Sequence, residues 1–132
     1  MNFADINGIS IHFNYNNNGA NKPTVVFSNS LGTDFRIWES CIENLSKDYS
    51  ILTYDKRGHG LSGLGNSPYV INDHVTDLID LMDHLQISEA VLVGLSVGGL
   101  VVQGVYHKRP DLVQGLILCD TAAKIGNEQM WN

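Results

Sequence analysis

Short apolar runs alternate with helix-like segments along most of the chain. The runs "TVVFSN", "YSILTYD", "AVLVG" and "VQGLILCD" have the largely apolar character of buried strands, and the first of them is rich in β-branched residues. Between them, "DFRIWESCIENL" and "INDHVTDLIDLMDHL" place apolar residues at helical spacing, and "VGGLVVQGVYHKR" is mostly apolar and stops at Pro110. Strands that alternate with helices pair in parallel, and the helices cover both faces of the sheet. The sequence therefore predicts an α/β fold with a mostly parallel sheet.

The N-terminal segment has a different pattern. Alternating residues in "FADINGISIHF" surround Asn7 and Gly8, a dipeptide suited to a two-residue hairpin because both positions tolerate a positive φ. This pattern predicts a hairpin at one edge of the sheet.

Size, charge and cysteine content limit the possible functions. The 132 residues suit one domain, and the net charge of −6 disfavours nucleic acid as a partner because phosphate binding needs a basic patch. Cys41 and Cys119 cannot form a framework of several disulfides, and the first residues lack a signal-peptide pattern. No apolar run approaches the roughly 20 residues that span a bilayer. We therefore expect a cytoplasmic protein with no membrane segment and no nucleic-acid partner.

Helical periodicity predicts which side chains of residues 71 to 85 face the core. Its apolar face consists of Ile71, Val75, Leu78, Met82 and Leu85, and the carboxylates lie on the other face. His12, His74 and His84 lack metal-ligand spacing, so we expect them on the surface and expect no metal site.

One polar side chain, Ser96, stands between a predicted strand and a predicted helix. Gly94-Leu95-Ser96-Val97-Gly98 matches G-x-S-x-G, in which a sharp strand-to-helix turn raises the serine hydroxyl above the sheet. The flanking glycines have a steric reason, since a Cβ at either position would collide with neighbouring backbone. The pattern therefore predicts that Ser96 is a nucleophile.

Two other interpretations remain open. "GLSVGG" is one residue away from the dinucleotide-binding G-x-G-x-x-G, with Asp120 placed about where a ribose-binding acid would stand. A serine at the second position would obstruct a pyrophosphate, however, and the fingerprint normally follows the first strand of its fold. The other alternative is a non-catalytic α/β domain that binds a partner through an uncovered strand edge.

The loops "SNSLGTD" and "YDKRGHGLS", together with the elbow, resemble the α/β-hydrolase fold family. With the tail "LCDTAAKIGNEQMWN", the motifs are similar to those of the 3-oxoadipate enol-lactonases, although other esterases and cofactor-free haloperoxidase-like relatives share most of them. The resemblance implies that the backbone N–H groups of Leu31 and Val97 hold the oxyanion. It also implies that Asp55 and Arg57 tie down a structural loop through hydrogen bonds.

The resemblance further implies hydrolysis of a small lactone or ester through an acyl-enzyme, with no cofactor. The family places its histidine after the serine, and His107, eleven residues along one helix, lies about 16 Å away, too far to act as the base. Asp120 stands at the position of the catalytic acid in some relatives. The carboxylate of such a substrate needs a donor, and neither Arg57 nor Lys124 can be assigned to it.

Because the histidine is missing, we expect residues 1–132 to be the N-terminal part of one hydrolase domain, truncated before its cap and last strands and inactive alone. "VQGLILCD" would then form an exposed apolar edge.

Overall fold

The computed structural model describes residues 2–19, 22–28, 38–55 and 71–119 of the chain. Each predicted strand and helix is present within these ranges. A short 3₁₀ turn, Pro110–Leu112, precedes the last strand. The elements in chain order are β1 (Asn2–Ile6), β2 (Ile9–Asn16), β3 (Thr24–Ser28), α1 (Glu39–Leu45), β4 (Ser50–Tyr54), α2 (Ile71–His84), β5 (Ala90–Leu95), α3 (Val97–Lys108) and β6 (Val113–Cys119).

The six strands form one sheet in the order β1-β2-β4-β3-β5-β6. Strands β3, β4, β5 and β6 pair in parallel, and β2 pairs antiparallel with both β1 and β4. The predicted parallel sheet with an antiparallel hairpin at one edge is therefore confirmed. All carboxyl ends of the parallel strands meet at one edge of this sheet, where ligands bind in folds of this type.

Alternate residues of the central strands are buried on opposite faces of the sheet. Val26 and Leu52 join one apolar cluster with residues of α2 and α3, whereas Val25, Phe27 and Ile51 join a second cluster with Trp38, against which α1 packs. Fully burying an aliphatic side chain of this size contributes about 1.5–3 kcal/mol. Helices therefore cover both faces, as predicted, and hold the sheet rigid beneath its carboxyl edge.

The hairpin turn adopts the predicted conformation. Asn7 has φ 52° and Gly8 has φ 77°, as a two-residue turn with two positive φ angles requires. The Asn7 side-chain amide also donates to the Asp77 carboxylate at 3.1 Å. Asp77 is buried, so the expectation that every carboxylate of α2 faces solvent is wrong. The hairpin covers this part of α2 and supplies a donor for the carboxylate.

The expected surface position of His12 and His74 is also wrong. The two side chains are only 3% and 5% exposed, whereas His84 is exposed as predicted. Because β2 lies between β1 and β4, His12 is enclosed, and its Nδ1 lies 3.0 Å from a carboxylate oxygen of Asp55. Asp55 is thus held by a buried contact to β2. The loop that Asp55 and Arg57 are predicted to tie down lies outside the described residues.

The C-terminus of α2 ends in a Schellman motif that has a glutamine where glycine is common. Gln86 has φ 60°, and its N–H donates to the backbone carbonyl of Asp83. The Ile87 N–H donates to the Met82 carbonyl at 2.9 Å. A left-handed conformation is costly for a residue with a Cβ.

Replacing Gln86 with glycine is therefore expected to stabilise the fold by about 0.5–1 kcal/mol. Urea unfolding of Gln86→Gly measures this change, with Gln86→Ala as the control because alanine removes the side chain and keeps the strain. Equal unfolding midpoints for the two variants would contradict the explanation.

The last strand, β6, forms an edge of the described sheet. Its Ile117 and Leu118 are 52% and 44% exposed, so the predicted exposed apolar edge is confirmed for the described part of the chain. Within the same ranges, none of the helices combines the length and apolar character needed to cross a membrane.

Candidate active site

Ser96 occupies the single residue between the end of β5 and the start of α3, at the carboxyl edge of the parallel sheet. Its backbone has φ 55° and ψ −118°, a conformation that costs a non-glycine residue of order 1–3 kcal/mol. The surrounding structure must stabilise this strained turn. Ser96 is half-buried at this position, as a sharp turn from a buried strand into a buried helix requires.

Gly94 allows the first turn of α3 to approach β5. A Cβ placed on Gly94 would lie 2.5 Å from the Gly98 carbonyl oxygen and 2.6 Å from the Gly99 Cα. Both neighbours are backbone atoms, which cannot rotate away as a side chain could. The steric reason predicted for the glycine at position 94 is therefore confirmed.

Two backbone hydrogen bonds fix Ser96 itself. Its N–H donates to the Cys119 carbonyl of β6 at 2.9 Å, and its own carbonyl accepts the Gly99 N–H at 2.9 Å. One bond ties the turn to the neighbouring strand and the other ties it to the first turn of α3. The strained conformation is thus held from both sides.

Val97 is the first residue of α3, so its N–H has no partner within the helix. Its side chain is buried in the cluster that includes residues of α2 and α3, which anchors this end of the helix. The N-terminus of a helix also carries a partial positive charge that favours a developing anion. Leu31, the other predicted oxyanion donor, lies outside the described residues.

Two buried polar side chains near this edge were not predicted from the sequence. Ser28, the last residue of β3, is in register with Gly94, and its hydroxyl lies 2.9 Å from the Tyr54 hydroxyl at the end of β4. Burial raises the pKa of the Tyr54 phenol well above its ordinary value. The signal in the sequence was a hydroxyl-bearing residue at the last position of each of the two strands.

The positions of two described histidines exclude them as the base for Ser96. His107 is exposed in the last turn of α3, about 16 Å along the helix axis from Ser96, which is the separation expected from the sequence. His12, on β2, pairs with Asp55. Strand β2 lies three positions from β5 in the sheet, so His12 is about 14 Å from the strand that leads to Ser96. Asp120 and His59 lie outside the described residues.

A polar cleft of about 540 Å³ lies at the opposite edge of the sheet, where Thr24 begins β3 and Ser50 begins β4. Its lining includes Lys22, Glu89 and Gln114. This cleft is separated from Ser96 by the length of the strands. It is therefore not part of the candidate site.

The chain is similar to known hydrolases along most of its length. A family model for the alpha/beta hydrolase fold matches residues 23–132. The 3-oxoadipate enol-lactonase 2 of Acinetobacter baylyi is 43% identical over 85% of this chain, and the 3-oxoadipate enol-lactonase 1 of the same organism is 35% identical over 88%.

The crystal structure of the enol-lactonase from Burkholderia xenovorans superimposes with a TM-score of 0.89 at 39% identity and covers 98% of this chain. The chain spans 42% and 43% of the two Acinetobacter proteins and 50% of the Burkholderia structure. The agreement in sequence, sheet and strand-to-helix turn confirms the resemblance seen in the motifs, and the chain belongs to the α/β-hydrolase fold family.

Proposed function

We propose that the chain supplies the nucleophile of a carboxylic-ester hydrolase that opens a lactone, with 3-oxoadipate enol-lactone as the expected substrate. The observation that carries this proposal is the backbone of Ser96, held at φ 55° between β5 and α3. A fold without a nucleophile at this turn has no evident reason to retain that strain. The choice of substrate is supported by the 43% and 35% identity to the two Acinetobacter enol-lactonases.

In the proposed reaction, Ser96 Oγ attacks the lactone carbonyl carbon and gives its proton to a histidine that we expect beyond residue 132. The carbonyl oxygen becomes an oxyanion that accepts hydrogen bonds from the N–H groups of Val97 and Leu31. Collapse of this intermediate breaks the ring C–O bond, the histidine gives its proton to the leaving enol oxygen, and an acyl-enzyme remains. Water then attacks the acyl group, which releases the ring-opened oxo acid and regenerates Ser96.

Each oxyanion donor in such a site contributes about 10²-fold or more to the rate. Both proposed donors are backbone groups, so side-chain changes at positions 31 and 97 alter the site only through packing. Every proposed step uses protein groups and water, so we expect no cofactor requirement. The acidic composition and low cysteine content suit a cytoplasmic enzyme that acts on a small molecule.

A hybrid enzyme tests this function. Residues 1–132 replace the matching N-terminal part of the Acinetobacter enol-lactonase 2, which supplies the remainder of that enzyme. The hybrid is expected to hydrolyse 3-oxoadipate enol-lactone and to prefer it over a simple ester such as p-nitrophenyl acetate. A soluble, folded hybrid that hydrolyses neither compound would contradict the proposed function. A preference for the simple ester would contradict only the choice of substrate.

The 132-residue chain alone is expected to hydrolyse the lactone at least about 10³-fold more slowly than the hybrid. The reason is the position of His12 and His107, neither of which reaches Ser96 to take its proton. Ultraviolet absorbance of the enol-lactone, followed at equal protein concentrations, measures both rates. A rate for the chain within tenfold of the hybrid's would show that this polypeptide contains its own base.

A further inference from the structure

Two buried hydroxyls meet beside the candidate active site. Ser28 and Tyr54 are 0% and 1% exposed, and their oxygens are 2.9 Å apart. Among the described residues, this contact is the one hydrogen bond that the structure gives to either hydroxyl. Within the described part of the chain, each hydroxyl is therefore the hydrogen-bond partner of the other.

The pair lies on the side of the sheet that carries the serine turn. Ser28 is in register with Gly94 on the neighbouring parallel strand, so positions 28 and 94 face the same side. That side is the one covered by α3, since a Cβ on Gly94 would meet the backbone of Gly98. Tyr54 and Val97 belong to the same buried cluster. The hydroxyl pair thus joins β3 to β4 close to the first turn of α3.

Ser28 is the last residue of β3 and lies beside Gly94 on β5. Two residues after Gly94, β5 has ended and the chain turns at Ser96, and the proposed oxyanion donor Val97 follows this turn. A bond that fixes the end of β3 relative to β4 therefore also supports the neighbouring end of β5, from which the Ser96 turn begins.

We propose that Ser28 and Tyr54 are positioning residues of the active site, whose mutual hydrogen bond fixes the end of β3 relative to the Ser96 turn. This inference rests on the proposed function, because it assigns the pair a role in placing Ser96 and the Val97 donor. Neither hydroxyl touches the substrate, since both are fully buried.

A double variant separates positioning from a merely structural role. Ser28→Ala or Tyr54→Phe alone leaves one buried hydroxyl without its partner, and each is expected to lower the folding equilibrium constant about tenfold. The combined Ser28→Ala/Tyr54→Phe variant removes both polar groups and is expected to unfold in urea close to the parent. Activity and local order can then be compared in two proteins of similar stability, even where a single variant fails to fold.

The first readout is hydrogen exchange of the Ser96 amide in the 132-residue chain, whose N–H donates to Cys119. We expect exchange about tenfold faster in the double variant than in the parent. Ser50→Ala is the matched control, because Ser50 is 1% exposed and its hydroxyl accepts the Asn18 N–H at 2.8 Å, at the opposite end of β4. This control should leave Ser96 exchange unchanged.

The second readout is turnover in the hybrid enzyme, where the double variant is expected to lower kcat about tenfold with KM unchanged. Parent-like exchange at Ser96 in the double variant, or parent-like kcat, overturns the positioning role. The positioning role is also overturned if Ser50→Ala changes Ser96 exchange or kcat as much as the double variant does. An inactive parent hybrid counts against the proposed function, and Ser96 exchange in the chain then decides the positioning role alone.

Discussion

Alanine at position 94 is expected to destabilise the fold by at least about 3 kcal/mol and to reduce hydrolysis by the hybrid at least about 10²-fold. The added Cβ would lie 2.5 Å from the Gly98 carbonyl oxygen and 2.6 Å from the Gly98 carbonyl carbon. Neither atom can move unless α3 shifts away from β5. Because α3 carries Val97 and abuts Ser96, such a shift displaces the proposed nucleophile and a proposed oxyanion donor together.

Gly115→Ala is the matched control for this change. Gly115 lies on β6, the strand beside β5, and a Cβ there meets no atom within 4 Å. We expect Gly115→Ala to change the free energy of unfolding by less than about 1 kcal/mol. Urea unfolding of both variants measures the difference. A Gly94→Ala protein as stable as Gly115→Ala would show that the close approach of α3 to β5 is not required.

Replacing Ser96 with alanine is expected to lower kcat of the hybrid at least about 10⁴-fold while KM changes little. The change removes the proposed attacking oxygen and leaves the proposed backbone donors in place. Alanine at φ 55° has a similar backbone strain to serine, so unfolding should differ by less than about 1 kcal/mol.

Steady-state kinetics of the purified Ser96→Ala hybrid measure this loss, and circular dichroism checks that the fold is retained. Ser50→Ala, a buried serine at the other end of the sheet, serves as the control and should keep the parent kcat. A folded Ser96→Ala hybrid with more than a tenth of the parent kcat would exclude a covalent role for this hydroxyl.

The order and type of the described elements could be predicted because each depends on a local pattern. The Asn7-Gly8 turn, the helical spacing in α2 and the apolar runs of β3 to β6 all have short-range causes. The Gly94 contact was equally predictable, because the G-x-S-x-G turn brings together residues only four positions apart.

The buried polar residues could not be predicted in the same way. His12 and Asp77 are buried because β2 occupies the interior of the sheet and the hairpin covers part of α2, and both facts depend on how distant segments pair. The Ser28–Tyr54 contact likewise depends on the alignment of β3 beside β4. Such positions follow from strand order and register, which residue spacing within one segment does not determine.

Covalent labelling of the hybrid by a fluorophosphonate tests the nucleophile most directly, with the modified peptide identified by tandem mass spectrometry. A serine hydroxyl activated by a neighbouring base forms a stable adduct with this reagent, whereas an ordinary surface serine does not. We predict one adduct, on Ser96, that disappears in the Ser96→Ala hybrid. A catalytically active hybrid that acquires no adduct, or acquires it on another residue, would contradict the assignment of Ser96 as the nucleophile.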